Sequence, residues 1–167
     1  MCRGQRTLLP NMNNDFILIL PNIRSCHNVG AMFRTADAFA VDKLILAGYT
    51  AAPPKVQIDK VALGAEQWIP FEKIELDSLR AKILDLKSEG YTIVALEKSE
   101  SSIELADFVP TGPVALIVGH EVSGVEEEIL DVCDEVVHIE MLGKKESLNV
   151  SIAAGIAMRE IRNKLSS

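Results

Sequence analysis

Residues 16–40, FILILPNIRSCHNVGAMFRTADAFA, contain the change of period that decides the fold. The first five, residues 16–20, are uninterrupted apolar positions rich in β-branched and large side chains, which reads as a strand buried on both faces. After Pro21 the period changes. Met32, Phe33, Ala36, Phe39 and Ala40 recur three and four apart, so the spacing predicts a helix over residues 28–40, with Arg34 and Asp37 off its apolar face. A buried strand followed at once by an amphipathic helix is the repeating unit of a parallel sheet covered on both faces.

The same alternation extends along the chain. Residues 43–47 read as the next strand, and Pro53-Pro54 breaks the chain before a short helical piece over residues 58–63. A short strand is expected at residues 68–71. Leu76, Leu79, Ile83 and Leu86 mark a helix closed by Gly90, and residues 91–96 and 114–118 read as strands. A short acidic helix over residues 126–130 and a strand over residues 136–139 follow. Ser147 or Asn149 is placed to cap a last helix whose apolar positions are Val150, Ala153, Ala154, Ala157 and Ile161. The fold class expected is α/β.

The 167 residues suit one domain, 1–167, in which residues 1–14 would form a flexible or basic N-terminal arm. The hydrophobic fraction of 48% and charged fraction of 25% are those of ordinary globular chains. No apolar run approaches membrane-spanning length and no signal-peptide core is present, so no membrane partner is expected and the cytoplasm is the expected location. Cys2, Cys26 and Cys133 are odd in number and widely spaced, which argues against a disulfide framework and a zinc site. The net charge of −7 disfavours a generally basic nucleic-acid surface. Its distribution is uneven, however: Arg24, Arg34, Lys144 and Lys145 lie near the polar segments described next.

Three polar, glycine-bearing segments each follow an apolar strand, where open α/β sheets place their ligands. They are residues 22–35, 119–125 and 139–151. In the first, Asn28 either caps the helix or joins Asn22, Arg24, His27 and Arg34 in a set of donors suited to phosphate or ribose. The second has the glycine spacing of a phosphate loop but Val125 in place of lysine, and no dinucleotide fingerprint exists anywhere. Glu121 is an acid in a tight loop there. In the third, Ser147-Leu148-Asn149 sets small polar groups at the mouth of an alanine-rich helix, which alone is an ordinary capping sequence.

Together the segments NIRSCHNVGAMFRTADAF (residues 22–39), ALIVGHEVSGV (115–125) and IEMLGKKESLNVSIAA (139–154), with ALGAE (62–66), resemble the three motifs of the SpoU/TrmH family of RNA ribose 2′-O-methyltransferases in the SPOUT superfamily. The resemblance covers the chain from about Asp15 onward. His120 stands where that family usually has asparagine, and Glu140 where it usually has proline.

The resemblance implies a parallel-sheet SPOUT-type α/β fold with a C-terminal deep trefoil knot, an exception to unknotted connectivity. It implies S-adenosylmethionine as cofactor, held by Leu96, Gly119, Ile139, Met141, Gly143 and Leu148, and no metal. Arg34 is then the residue proposed to act on the 2′-hydroxyl, with Asn28, Glu121, Ser147 and Asn149 arranging the site. Because guanidinium stays protonated, Arg34 is expected to bind the adjoining phosphate or a developing oxyanion rather than accept a proton. Gly119→Val is expected to block the adenosine pocket. The implied partners are structured RNA, tRNA or rRNA, and a second copy of the chain, a homodimer packed through the apolar last helix. The competing readings are a knotted RNA- or nucleotide-binding module without turnover, and a base-modifying SPOUT methyltransferase. The arginine-bearing first motif disfavours the latter.

Overall fold

The computed structural model describes residues 14–120 and 123–166. The expected basic arm, residues 1–14, lies almost wholly outside them, as does Glu121.

Seven strands form one sheet: β1 (Phe16–Pro21), β2 (Lys43–Ala47), β3 (Phe71–Ile74), β4 (Thr92–Leu96), β5 (Ile103–Glu104), β6 (Val114–Val118) and β7 (Glu135–His138). Their order is β3-β2-β1-β6-β4-β7-β5, and every pairing is parallel. The chain thus completes β4 on one side before β6 enters between β1 and β4. In register, Leu18 pairs with Leu44 and Leu116, and Leu116 in turn with Val94.

Because side chains alternate across a strand, each strand feeds two cores. Phe16, Leu18 and Leu20 turn to one face, where α1 (Cys26–Ala38), α2 (Val56–Ala62) and α5 (Val150–Leu165) supply Met32, Phe33, Ile58, Ala154, Met158 and Ile161. Ile17 and Ile19 turn to the other, under α3 (Leu79–Ser88) and α4 (Glu127–Leu130), against Ile83, Leu86 and Ile129. The uninterrupted apolar reading of β1 and β6 follows from burial on both sides.

Two basic side chains fasten the last turns of α5. Arg162 donates from Nε to the carbonyl of Phe39 at 3.0 Å and from Nη1 to that of Asn14 at 2.8 Å, and its guanidinium lies 5.5 Å from the Phe16 ring centroid. Lys164 Nζ donates to the carbonyls of Leu105, Ala106 and Phe108 at 3.1, 2.6 and 2.8 Å. The C-terminal helix is thereby tied both to the start of the chain and to the turn after β5.

Several boundaries differ from the sequence expectation. The first helix begins at Cys26 because Ser25, not Asn28, is its cap: the Ser25 hydroxyl accepts from the Asn28 backbone N–H at 3.2 Å. It stops before Ala40, which takes a left-handed φ of 53° and is exposed, while Phe39 is only half-buried. The strand expected at residues 68–71 lies instead at Phe71–Ile74, since Trp68 ends a 3-10 turn and gives its indole N–H to Asp37 Oδ1 at 2.9 Å. The strand expected at residues 136–139 runs one residue earlier, Glu135–His138, and the two-residue β5 had no expectation. Gly90 meets the role expected of it: at φ 94° it follows α3, with its N–H on the carbonyl of Lys87 and that of Tyr91 on Leu86.

Candidate active site

The carboxyl ends of β4, β6 and β7 lie side by side in the order β6-β4-β7. The loops that leave them, with the first turn of α5, surround a cavity of about 410 Å³. Leu96, Gly119, Ile139, Met141 and Leu148, five residues expected at a cofactor, line it, together with Ser147 and Asn149. Gly143 is on the same loop but does not line the cavity. Its size falls within the range of small-molecule and cofactor pockets.

Asn149 does two jobs. Its Oδ1 caps α5 by accepting from the Ser151 backbone N–H at 2.9 Å and from the Ser151 hydroxyl at 2.7 Å. Its Nδ2 donates to Oδ1 of Asn28 at 3.3 Å. Asn28, on the first turn of α1, is only 7% exposed. The first and third polar segments thus meet in one hydrogen bond. Asn28 is a buried link between helices rather than the cap of its own.

Glu97, which the sequence reading passed over, fastens the first loop to the second. Its Oε2 accepts from the Val125 N–H at 3.0 Å and its Oε1 from the Lys98 N–H at 2.9 Å. A carboxylate directly after a strand that ends at a proposed ligand site was the available signal. The second loop is closed by reciprocal backbone bonds between His120 and Gly124, at 2.9 and 3.0 Å. A Cβ at Gly119 would stand 2.4 Å from the Gly124 carbonyl carbon and 2.6 Å from the Val125 nitrogen. Glycine is required there by backbone approach within the loop itself. Gly119 also lines the cavity, so in Gly119→Val a collision with the loop, already made by the first side-chain carbon, would add to the expected block of the adenosine pocket.

Arg34 is exposed on α1 and does not line the cavity. Lys144 and Lys145, on the third loop, are exposed too. The cavity walls combine apolar Leu96, Val118, Ile139, Leu148 and Ala153 with the carboxylates Glu97 and Glu146, the cation Lys98 and the imidazoles of His120 and His138. Such walls suit a largely apolar ring system that also carries polar groups. The strongly displaced titrations lie elsewhere: burial pushes the Cys133 thiol up to about 12, and burial, with Asp15 nearby, pushes the Tyr91 phenol up to about 12. Among the described residues no helix is long and apolar enough to cross a membrane.

The family model described as the SpoU rRNA Methylase family matches residues 15–159. A tRNA (guanosine(18)-2′-O)-methyltransferase of Aquifex aeolicus is 36% identical over 156 residues, covering 93% of this chain and 72% of that protein. The 23S rRNA (guanosine-2′-O-)-methyltransferase RlmB of Haemophilus ducreyi is 34% identical over 160 residues, 95% of this chain and 64% of its own length. Among solved structures, the A. aeolicus TrmH/SpoU tRNA modifying enzyme superposes with a TM-score of 0.81 at 32% identity, over 90% of this chain and 75% of that one. The AdoMet-bound rRNA methyltransferase of Sinorhizobium meliloti superposes with a TM-score of 0.83 at 27% identity, over 93% of this chain and 58% of that one.

Proposed function

The chain belongs to the SpoU rRNA methylase family, and from that premise we propose that it transfers a methyl group from S-adenosylmethionine to a ribose 2′-hydroxyl of tRNA or rRNA. The observation that carries this reading is the cavity at the carboxyl ends of β4, β6 and β7, lined by Leu96, Gly119, Ile139, Met141 and Leu148. Its size and its mixed apolar and polar walls fit a nucleoside-sized cofactor, and an AdoMet-bound relative has the same fold. Gly143 would act from the same loop without lining the cavity. The cofactor supplies an already activated methyl group, so the protein's part is binding, orientation and charge stabilisation.

In this reading the Asn28–Asn149 bond holds α1 against the mouth of α5, and Ser147 lines the cavity beside Asn149; Glu121, outside the described residues, keeps the role of helping to arrange the site that the family resemblance gives it. Arg34, outside the cavity and exposed, contacts RNA rather than cofactor, binding the phosphate beside the reacting ribose or the oxyanion that develops there. The 2′-O-methyltransferase names of the relatives favour ribose over base as the methyl acceptor, and turnover over a silent binding module.

We also propose that this single domain closes a C-terminal trefoil knot and works as a cytoplasmic homodimer. The entry of β6 between β1 and β4, the shared core of α5 and α1, and the bonds from Lys164 of α5 to the 105–108 turn support this reading. Ile152 and Ile156, one turn apart on α5 and 55% and 42% exposed, support a second copy packed on that helix.

The test is incorporation of labelled methyl groups from S-adenosylmethionine into bulk tRNA and rRNA, followed by nucleoside analysis. A 2′-O-methylated nucleoside is expected. Methyl groups found only on bases, or no cofactor binding at all, would overturn the reading.

A further inference from the structure

α1 and α2 pack closely along one side of α1. A Cβ at Gly30 would stand 2.7 Å from the Ile58 carbonyl oxygen and 3.0 Å from the Val61 Cβ, so glycine lets the two helices touch there. Further along α1, Asp37 accepts the indole N–H of Trp68 at 2.9 Å. Residues 30, 34 and 37 share one helical face. Arg34 therefore emerges from the groove between these two contacts, facing α2 and the turn that follows it.

Trp68, the single tryptophan of the chain, is 58% exposed yet held at both ends. Its N–H is engaged by Asp37, and the benzo edge of its ring rests on Gly64, where a Cβ would stand 3.1 and 3.2 Å from Cη2 and Cζ3. Gly64 is fixed in turn: at φ 99°, it gives its N–H to Oε2 of the buried Glu66 at 3.0 Å. Glu66 closes the ALGAE stretch, residues 62–66, which takes no part in the cofactor cavity. Leu63, 63% exposed, extends the apolar ground next to Gly64, and Lys60, one turn back on α2, is exposed as well. An aromatic ring fixed in orientation and open to solvent loses little freedom when a flat partner lies on it.

We propose that Trp68 is a stacking platform for a nucleobase of the RNA substrate, set in the α1–α2 groove next to the phosphate that Arg34 holds. The proposal rests on the methylation reading above and concerns how the strand is gripped, whatever the base. Arg34 and Asp37 are one turn apart, about 4.5 Å along the helix axis, and stacked nucleotides follow one another at about 3.4 Å. One strand can thus meet both the guanidinium and the ring. Stacking uses the face of the indole and leaves its bond to Asp37 intact. Exposed cations beside an exposed aromatic ring are the composition that grips a single strand, with phosphates on the charges and a base on the ring. A protein partner would need a broader apolar surface, whereas here Leu63 and Trp68 are bordered by Arg34 and Lys60.

Because Trp68 is the chain's single tryptophan, it reports on itself. Titration with single-stranded oligoadenylate is expected to quench its fluorescence. An abasic ribose-phosphate oligomer of the same length should bind about tenfold more weakly, or less, and leave the emission unchanged. Trp68→Ala should raise the KM for RNA about tenfold or more while kcat and S-adenosylmethionine affinity stay near wild type, as when substrate binding alone is lost. Trp68→Phe keeps a ring and should recover most of that loss. If Trp68→Ala fails to fold, the phenylalanine variant and the wild-type titration still decide. Asp37→Ala, which frees the ring, should weaken oligoadenylate binding without abolishing the quench. Unchanged emission at saturating oligoadenylate, or equal binding of the abasic oligomer, overturns the proposal. So does emission that changes with protein concentration alone, together with a monomeric Trp68→Ala in light scattering, since Trp68 would then be a contact between copies. Quenching by RNA in a protein that fails to methylate sinks the methylation reading alone, and methylation with a normal KM in Trp68→Ala sinks this one alone.

Discussion

Asn149 donates to Asn28 across 121 residues of chain, at 3.3 Å, from the same side chain that caps α5. One amide therefore sets both the start of the last helix and its distance from the first. Asn149→Ala removes cap and link together and should cost about 1 kcal/mol or somewhat more, within the usual range for a lost N-cap. Asn149→Ser can restore the cap but is too short to reach Asn28. Thermal unfolding should then recover in the serine variant while methyl transfer stays low. Equal recovery of both would show that the link to Asn28 is dispensable.

Gly119→Ala should already do the damage that a larger residue does. The added Cβ meets Gly124 and Val125 backbone at 2.4 and 2.6 Å, and overpacking of this kind costs about 1–3 kcal/mol. If the cost falls on the loop in its binding conformation, S-adenosylmethionine affinity drops on the order of tenfold to a hundredfold. Calorimetry with the Ala and Val variants decides between loop geometry and simple occlusion: wild-type affinity in Gly119→Ala with loss only in Gly119→Val would favour occlusion.

Arg34→Ala should leave folding and cofactor affinity unchanged, because the side chain is exposed and outside the cavity. Turnover on RNA should fall on the order of a hundredfold or more, as it does when one prepared donor to a developing oxyanion is removed. Arg34→Lys should restore little, since an ammonium lacks the planar fork. Near-normal methylation by Arg34→Ala contradicts the assigned role.

Cys133 should behave as an inert thiol. Burial raises it from an ordinary 9.0 to about 12, and its Sγ donates to the Ile129 carbonyl at 3.2 Å. Only the thiolate is nucleophilic, so a disulfide reagent at pH 8 should leave Cys133 unmodified until the protein unfolds. The sign for stability follows: above pH 9 the unfolded thiol ionises first, so this group lowers stability as pH rises toward 12. Fast labelling of Cys133 in the folded protein, read by mass spectrometry, would count against its burial.

The interior strands were legible because burial on both faces leaves an unbroken apolar run, as at residues 16–20 and 114–118. The edges were not. Glu72 and Lys73 interrupt β3 because an edge strand is half solvated, and Glu72 is instead paired with Lys43 at 2.5 Å and Lys82 at 3.1 Å. Helix starts were misplaced where two capping residues competed: Ser25 and Asn28 are both good caps, and only the burial of Asn28 against Asn149 separates their roles. At the site, strand ends pointed to the lining loops, but the partner of each polar group was invisible. Glu97 is bonded to Val125, 28 residues away, and Tyr49 to Asn22, 27 residues away, and neither separation has a local pattern.

The late arrival of β6 between β1 and β4 also governs how the protein can be made. A nascent chain that has emerged through residue 96 holds β1 and β4 with no ladder between them, since each pairs with β6. β4 stays without a strand partner on the ribosome until residues 114–118 are released, because both of its neighbours, β6 and β7, follow it in the chain, and the Arg162 and Lys164 fastenings wait for the last turns of the chain. Split or circularly permuted versions cut between β4 and β6 would separate the strand that joins the halves from the edge it must enter, and pairings this distant in sequence are slow to form. Such versions should depend on chaperones during synthesis even where the finished protein is stable.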